Sequence, residues 1–228
     1  DELEFHLTLH MAAMGVARVL AFPEVILFRL PDCVDAAGPH DDMFLGVDPV
    51  ELGNAEREGR RQVWMYEEAF RKYVPGFESA RVIDIGARVG VRETRLIHGD
   101  AVLTEAQVRA CEKPADAIAI SSWPLENHGR GRTTSWEFLP DGEWYGIPWG
   151  CLVVRGFDNL LVAGRNLSAE HAAQASVRVA GPCMALGEAA GAGAVASLAH
   201  GGDARAVNVE ALRAQLLAAG AILDPCWN

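Results

Sequence analysis

Two histidines, two arginines and one glycine-ended strand are the parts of this 228-residue chain whose types and spacing could do chemistry. His171 lies between a glycine turn at Gly164 and a small-residue helix expected from Gly181 to His200. An imidazole titrates close to neutral pH, so it can take or give a proton during a reaction. His128 follows Pro124-Leu125-Glu126-Asn127 in a long aromatic loop, a setting where a histidine commonly just faces solvent. Arg165 and Arg178 could hold a phosphate or carboxylate bidentately. An internal ion pair with Glu170 or Glu188 is the alternative for either.

The stretch Asn159-Leu160-Leu161-Val162-Ala163-Gly164-Arg165 reads as a buried strand ending in a glycine turn. The helix after it starts almost free of bulk, so its backbone N–H groups can approach an anionic or electron-rich ligand. Gly187, Gly191 and Gly193 in that helix also permit close packing against a neighbour. Gly86-Ala87-Arg88-Val89-Gly90 has the wrong spacing for a dinucleotide loop and reads as a bend between strands. The glycine fingerprint of a nucleotide site, set between a strand and a helix, is missing from the sequence.

Other elements must position these residues. Alternation predicts strands at Leu3–Leu9, Val25–Leu30, Ala80–Ile85 and Val91–Ile97. Val50–Tyr73 is the longest expected helix, stopped by Pro75-Gly76. Thr104 and Gln107 fit a capping box for a helix running to about Lys113. Ala117–Ser121, Cys151–Val154 and Leu160–Ala163 read as strands, the last two joined by a turn at Gly156–Asn159. Ser122–Trp149 is irregular and aromatic, with Trp144 and Trp149 as candidates for lining a pocket. Gly201-Gly202 closes the small-residue helix, and Asn208 caps a last one that Gly220 stops.

Composition narrows the field. A net charge of −11 without a basic run argues against a nucleic-acid partner. Cys33, Cys111, Cys151, Cys183 and Cys226 are odd in number and form no CxxC pair, which disfavours zinc or a disulfide framework and favours a reducing, cytoplasmic compartment. Cys151 and Cys183 read as small buried residues. Ala180–Ala199 is interrupted by Pro182, Glu188 and four glycines, so no membrane span and no membrane partner is expected.

Several segments in order carry a family resemblance: Tyr73-Val74-Pro75-Gly76-Phe77-Glu78, Gly90-Val91-Arg92-Glu93-Thr94-Arg95, Gly99-Asp100-Ala101-Val102-Leu103-Thr104, Cys151 to Arg165, and Ala175-Ser176-Val177-Arg178. Over Glu51–Leu223 the chain resembles the C-terminal half of an FAD-dependent oxidoreductase of the glutathione-reductase-like superfamily. More narrowly, it is similar to bacterial members related to the fumarate reductase flavoproteins. The resemblance implies a mixed α/β (α+β) fold, the C-terminal portion of the glutathione-reductase-type FAD-binding fold. It implies a substrate or cap region over residues 1–150, with a helical insertion and an aromatic loop, and part of the FAD domain over 151–228.

The same resemblance implies hydride transfer between an organic substrate and flavin N5, with His171, His128 and Arg178 as catalytic residues. Gly164, Arg165, Ser168, Ser176, Gly181, Pro182, Cys183 and Met184 would meet the cofactor, and no metal is implied. Around Ser168 to Gln174 the family more often has Thr before the histidine, then Glu, and a second His where Gln174 stands, while His171 remains. The absent fingerprint implies a second polypeptide, or a cleaved N-terminal half, holding the adenine end of FAD, in a hetero-oligomer that takes a small-molecule substrate. An electron-relaying reductase subunit and a non-catalytic structural subunit are the rival readings.

Overall fold

The computed structural model describes residues 47–88, 90–128 and 134–225. The strands expected at Leu3–Leu9 and Val25–Leu30 lie outside the described residues. Those described fall into two compact units, one running from Pro49 to Gly90 and the other from Val91 onward.

In the first unit, α1 spans Pro49–Tyr73. Proline suits the first helical position because its missing N–H would have had no helical partner there. Ion pairs one turn apart line the exposed surface: Glu56 with Arg60 at 3.5 Å and Glu67 with Arg71 at 3.6 Å. The chain reverses at Gly76, whose φ of +91° favours glycine, and brings the Phe77 ring to 5.6 Å from Phe70. The strand expected at Ala80–Ile85 does not form. A strand needs a partner to take its amides, and here the Val82 N–H is taken by the Glu67 carboxylate at 2.7 Å.

The second unit is built on two antiparallel strand pairs. β1 (Ala117–Ser121) pairs with β4 (Tyr145–Pro148), setting Ala119 opposite Ile147 and Ser121 opposite Tyr145. β2 (Leu125–His128) pairs with β3 (Thr134–Glu137) inside the segment expected to be irregular. Three helices pack on them: α3 (His171–Val177) on β2, α4 (Ala180–Ser197) on β1, and α5 (Val209–Ala218) on α4 and β1. Ile118, Leu125, Ile147, Leu152, Leu186 and Leu212 form the centre of the core. The class is mixed helix and strand, as expected.

Short-range signals come out as read. Thr104 and Gln107 form both halves of the capping box on α2 (Glu105–Arg109), and Asn208 accepts the Ala211 N–H at the start of α5. α2, however, stops well before Lys113. Cys111 adopts φ +51°, and the amides of Cys111 and Glu112 turn back to the carbonyls of Val108 and Gln107. That pair of bonds is the Schellman ending, with cysteine where glycine is usual. α5 ends the same way, with Gly220 at φ +98°.

The strands expected at Val91–Ile97, Cys151–Val154 and Leu160–Ala163 are corrected. Trp149–Cys151 is a short 3-10 turn, and the pairing survives only as single bridges, Val153 to Leu161 and Val154 to Gly99. The Ile97 N–H goes to Asn166 O, not to a ladder. The aromatic expectation also changes. Trp149 is buried with its indole N–H on Ala204 O at 3.1 Å, and Trp144 lies buried beneath the Lys113 ammonium, so both pack into the unit.

α4 departs from expectation in two respects. Ala180–His200 is long and apolar enough to cross a membrane by length and mean hydropathy, because small apolar residues outweigh Pro182 and Glu188. Core helices that are mostly buried pass the same measure; here 22% of the apolar window is buried. Close packing at its glycines holds for Gly193, which faces Trp149, but not for Gly191, which meets nothing among the described residues.

Candidate active site

Glu170 precedes α3 in an extended conformation, and its carboxylate accepts the Glu105 amide of α2 at 2.7 Å. His171 is therefore the first helical residue. Its Nδ1 lies 2.6 Å from Oε2 of Glu93, whose side chain is only 9% exposed while the imidazole is 60% exposed. The hydrogen bond that His171 Nδ1–H donates to the Glu93 carboxylate holds the His171 pKa above its ordinary 6.5, against burial and the nearby Arg178 charge. A fixed, nearly buried carboxylate thus serves a ring that faces outward.

The inward face of α3 carries Gln174 and Ser176. Gln174 is fully buried, and its Nε2 donates to the carbonyls of Arg92 at 3.1 Å and Arg165 at 3.0 Å. Its Oε1 is the one buried side-chain oxygen or nitrogen without a partner among the described residues. Ser176 donates to Trp123 O at 2.6 Å and receives the Tyr145 hydroxyl at 2.7 Å. Burial pushes that Tyr145 hydroxyl up to about 12. Arg178 ends α3 and donates to Glu126 O at 3.3 Å.

Gly164, with φ +96°, makes the turn before exposed Arg165. Ser168 is buried in backbone pairing, its N–H on Cys151 O and its carbonyl taking the Leu103 N–H, both at 3.0 Å. α4 then opens after extended Val179 with no side chain capping its first turn. Among the described residues nothing lies within 4 Å of the place a Gly181 Cβ would take, Pro182 sits in that first turn, and Met184 is 75% exposed. The Cys183 thiol rests 3.4 Å from Arg178 O, and burial raises its pKa while Arg165 opposes the rise.

Gln174 ties the Gly164–Arg165 turn to α3, and Cys183 ties α3 to the start of α4. Gly164, Arg165, His171, Arg178, Gly181, Pro182, Cys183 and Met184 therefore share one neighbourhood. Ser168 and Ser176 support it from the interior. His128 ends β2, and its side chain lies outside the described residues. Glu93 was not among the residues expected at the site, since no local spacing links it to a histidine 78 positions later.

A family model described as FAD dependent oxidoreductase matches residues 8–216. The chain belongs to that family. Its cofactor is FAD, and its function is flavin-linked oxidation and reduction. No curated protein and no solved structure matches the chain.

The residues fit the ring end of FAD. An uncapped helix start with open space at Gly181 offers N–H donors, and a glycine turn adjoins it.

Proposed function

We propose that this chain forms the flavin-ring and substrate side of an FAD-dependent oxidoreductase of the glutathione-reductase type, akin to bacterial flavoproteins related to fumarate reductase. The match to the FAD dependent oxidoreductase family over residues 8–216 carries this reading. Bound FAD would supply hydride acceptance and donation at N5. The chain's own residues do the rest.

The amides of Ala180 and Gly181 at the start of α4 would face the electron-rich edge of the ring, where a helix N-terminus contributes about 0.3–2 kcal/mol toward negative charge. Pro182, Cys183 and Met184 would lie along that edge, and the Gly164–Arg165 turn would approach it through backbone. His171 would exchange a proton with the substrate, helped by His128, while Arg178 would hold a substrate oxygen or carboxylate. Residues 1–150 would supply the substrate side and 151–228 the flavin side. A second polypeptide, or a cleaved N-terminal half, carrying the glycine fingerprint would hold the adenine end, in a cytoplasmic assembly.

Purification of the native assembly tests this directly. The visible flavin absorbance should be present, or appear on adding FAD, and should bleach under anaerobic conditions with a reducing substrate. An assembly that stays colourless with added FAD refutes the proposal. One that holds FAD but bleaches with no substrate favours the electron-relaying or structural reading.

A further inference from the structure

The setting of His171 contains a conflict that only one group resolves. The positive end of α3 and the Arg178 guanidinium both disfavour a proton on this imidazole. The other charged groups on segments packed around α3 include Arg92 and Arg95 beside Glu93, Arg165 in the turn tied to Gln174, Glu126 on β2, and Glu105 with Arg109 on α2. Glu105 and Arg109 pair with each other at 2.7 Å, and Glu170 is engaged at the Glu105 amide. Glu93 alone among these hydrogen-bonds the ring, from inside the protein, at Nδ1. Nε2 has no hydrogen-bond partner among the described residues.

We propose that Glu93 is the positioning residue of His171. Its carboxylate holds the Nδ1 proton, fixes the ring's orientation and leaves Nε2 as the atom that exchanges protons with substrate. This rests on the reading of His171 as the proton-handling group of a flavin oxidoreductase. The chemistry it suits is oxidation of a C–H bearing an O–H or N–H. Bound FAD would supply the hydride acceptor, while Nε2 would take the heteroatom proton as the heteroatom lone pair closes the new double bond. The imidazolium so formed is matched by the Glu93 carboxylate, as in other carboxylate–histidine pairs.

Histidine-selective NMR of the labelled chain tests the hold on the ring without any substrate. Wild-type His171 should be the Nδ1–H tautomer when neutral and should titrate above 6.5. Glu93→Gln should lower that midpoint and mix the tautomers, and Glu93→Asp should restore part of both. An Nε2–H tautomer, or a midpoint at or below 6.5, in the wild-type chain overturns the proposal even if no variant folds. With the native assembly and a substrate that bleaches the flavin, Glu93→Gln should slow bleaching by about 10- to 100-fold, the range seen when an outer partner of a histidine is removed. The rise of that rate with pH should move to lower pH. If His171→Ala bleaches at the wild-type rate, the catalytic reading of His171 fails, whatever the NMR says of Glu93.

Discussion

Adding one methyl group at Gly193 should destabilise the chain, while adding the same group two residues earlier should not. A Cβ on Gly193 would stand 2.8 Å from Cζ3 of Trp149 and nearer still to Cη2, on a ring that is only 4% exposed. Its indole N–H is fixed on Ala204 O at 3.1 Å, so the ring cannot slide away without losing that bond. Overpacking of this kind costs about 1–3 kcal/mol. Breaking the indole bond would add about 0.5–1.5 kcal/mol. Against this, alanine in a helix interior gains about 0.5–1 kcal/mol over glycine. Gly193→Ala should therefore be about 0.5–4 kcal/mol less stable than wild type. At Gly191 nothing lies within 4 Å among the described residues, so only the helix gain remains, about 0.5–1 kcal/mol of added stability. Urea denaturation with unchanged slope reads both as shifts in midpoint. If both variants move the same way, or Gly193→Ala matches wild type, the packing of α4 on Trp149 is wrong.

Three further outcomes are expected. Gln174→Leu strips the part-buried carbonyls of Arg92 and Arg165 of their shared donor, and should cost about 1–2 kcal/mol in the same assay even though it removes the partnerless Oε1. A wild-type midpoint in that variant would mean the Gln174 clamp does not hold the Gly164 turn. Cys111→Gly should stabilise by about 1 kcal/mol, because the residue sits at φ +51° where a Cβ is strained, and a melting temperature below wild type would count against the Schellman ending. Because the folded pKa of His171 is raised, its pair with Glu93 stabilises fully below the unfolded value of 6.5 and loses that contribution as pH rises through the folded value. Stability curves of wild type and His171→Gln should therefore differ most at mildly acidic pH and converge above it, and a constant difference would deny the pair its charge.

The sequence shows local features well because their physics closes within a few residues. α1, the Thr104–Gln107 box, the Asn208 cap and the Gly201 and Gly220 stops each satisfy backbone groups three to five positions away. Family membership was legible for a related reason: ordered short motifs survive without knowledge of what they touch. Strands read less well. Ala80–Ile85, Val91–Ile97, Cys151–Val154 and Leu160–Ala163 have strand-like patterns, but a strand exists only if another segment arrives to take its amides. In these places a carboxylate, a single bridge or a loop carbonyl arrived instead.

The candidate site divides along the same line. That His171, Arg165, Arg178 and the Gly164 turn precede a bare helix start is written in the order of residues 159–184. Which histidine nitrogen meets a carboxylate, and which carboxylate, is not. Glu93 reaches His171 across 78 positions, Tyr145 reaches Ser176 across 31, and Trp149 selects Gly193 over Gly191 by where its ring lies. Sequence by itself determined the family, the caps and the residues able to do chemistry. Tertiary structure alone decided their partners, because proton affinity and close packing depend on distances between segments that no local pattern encodes.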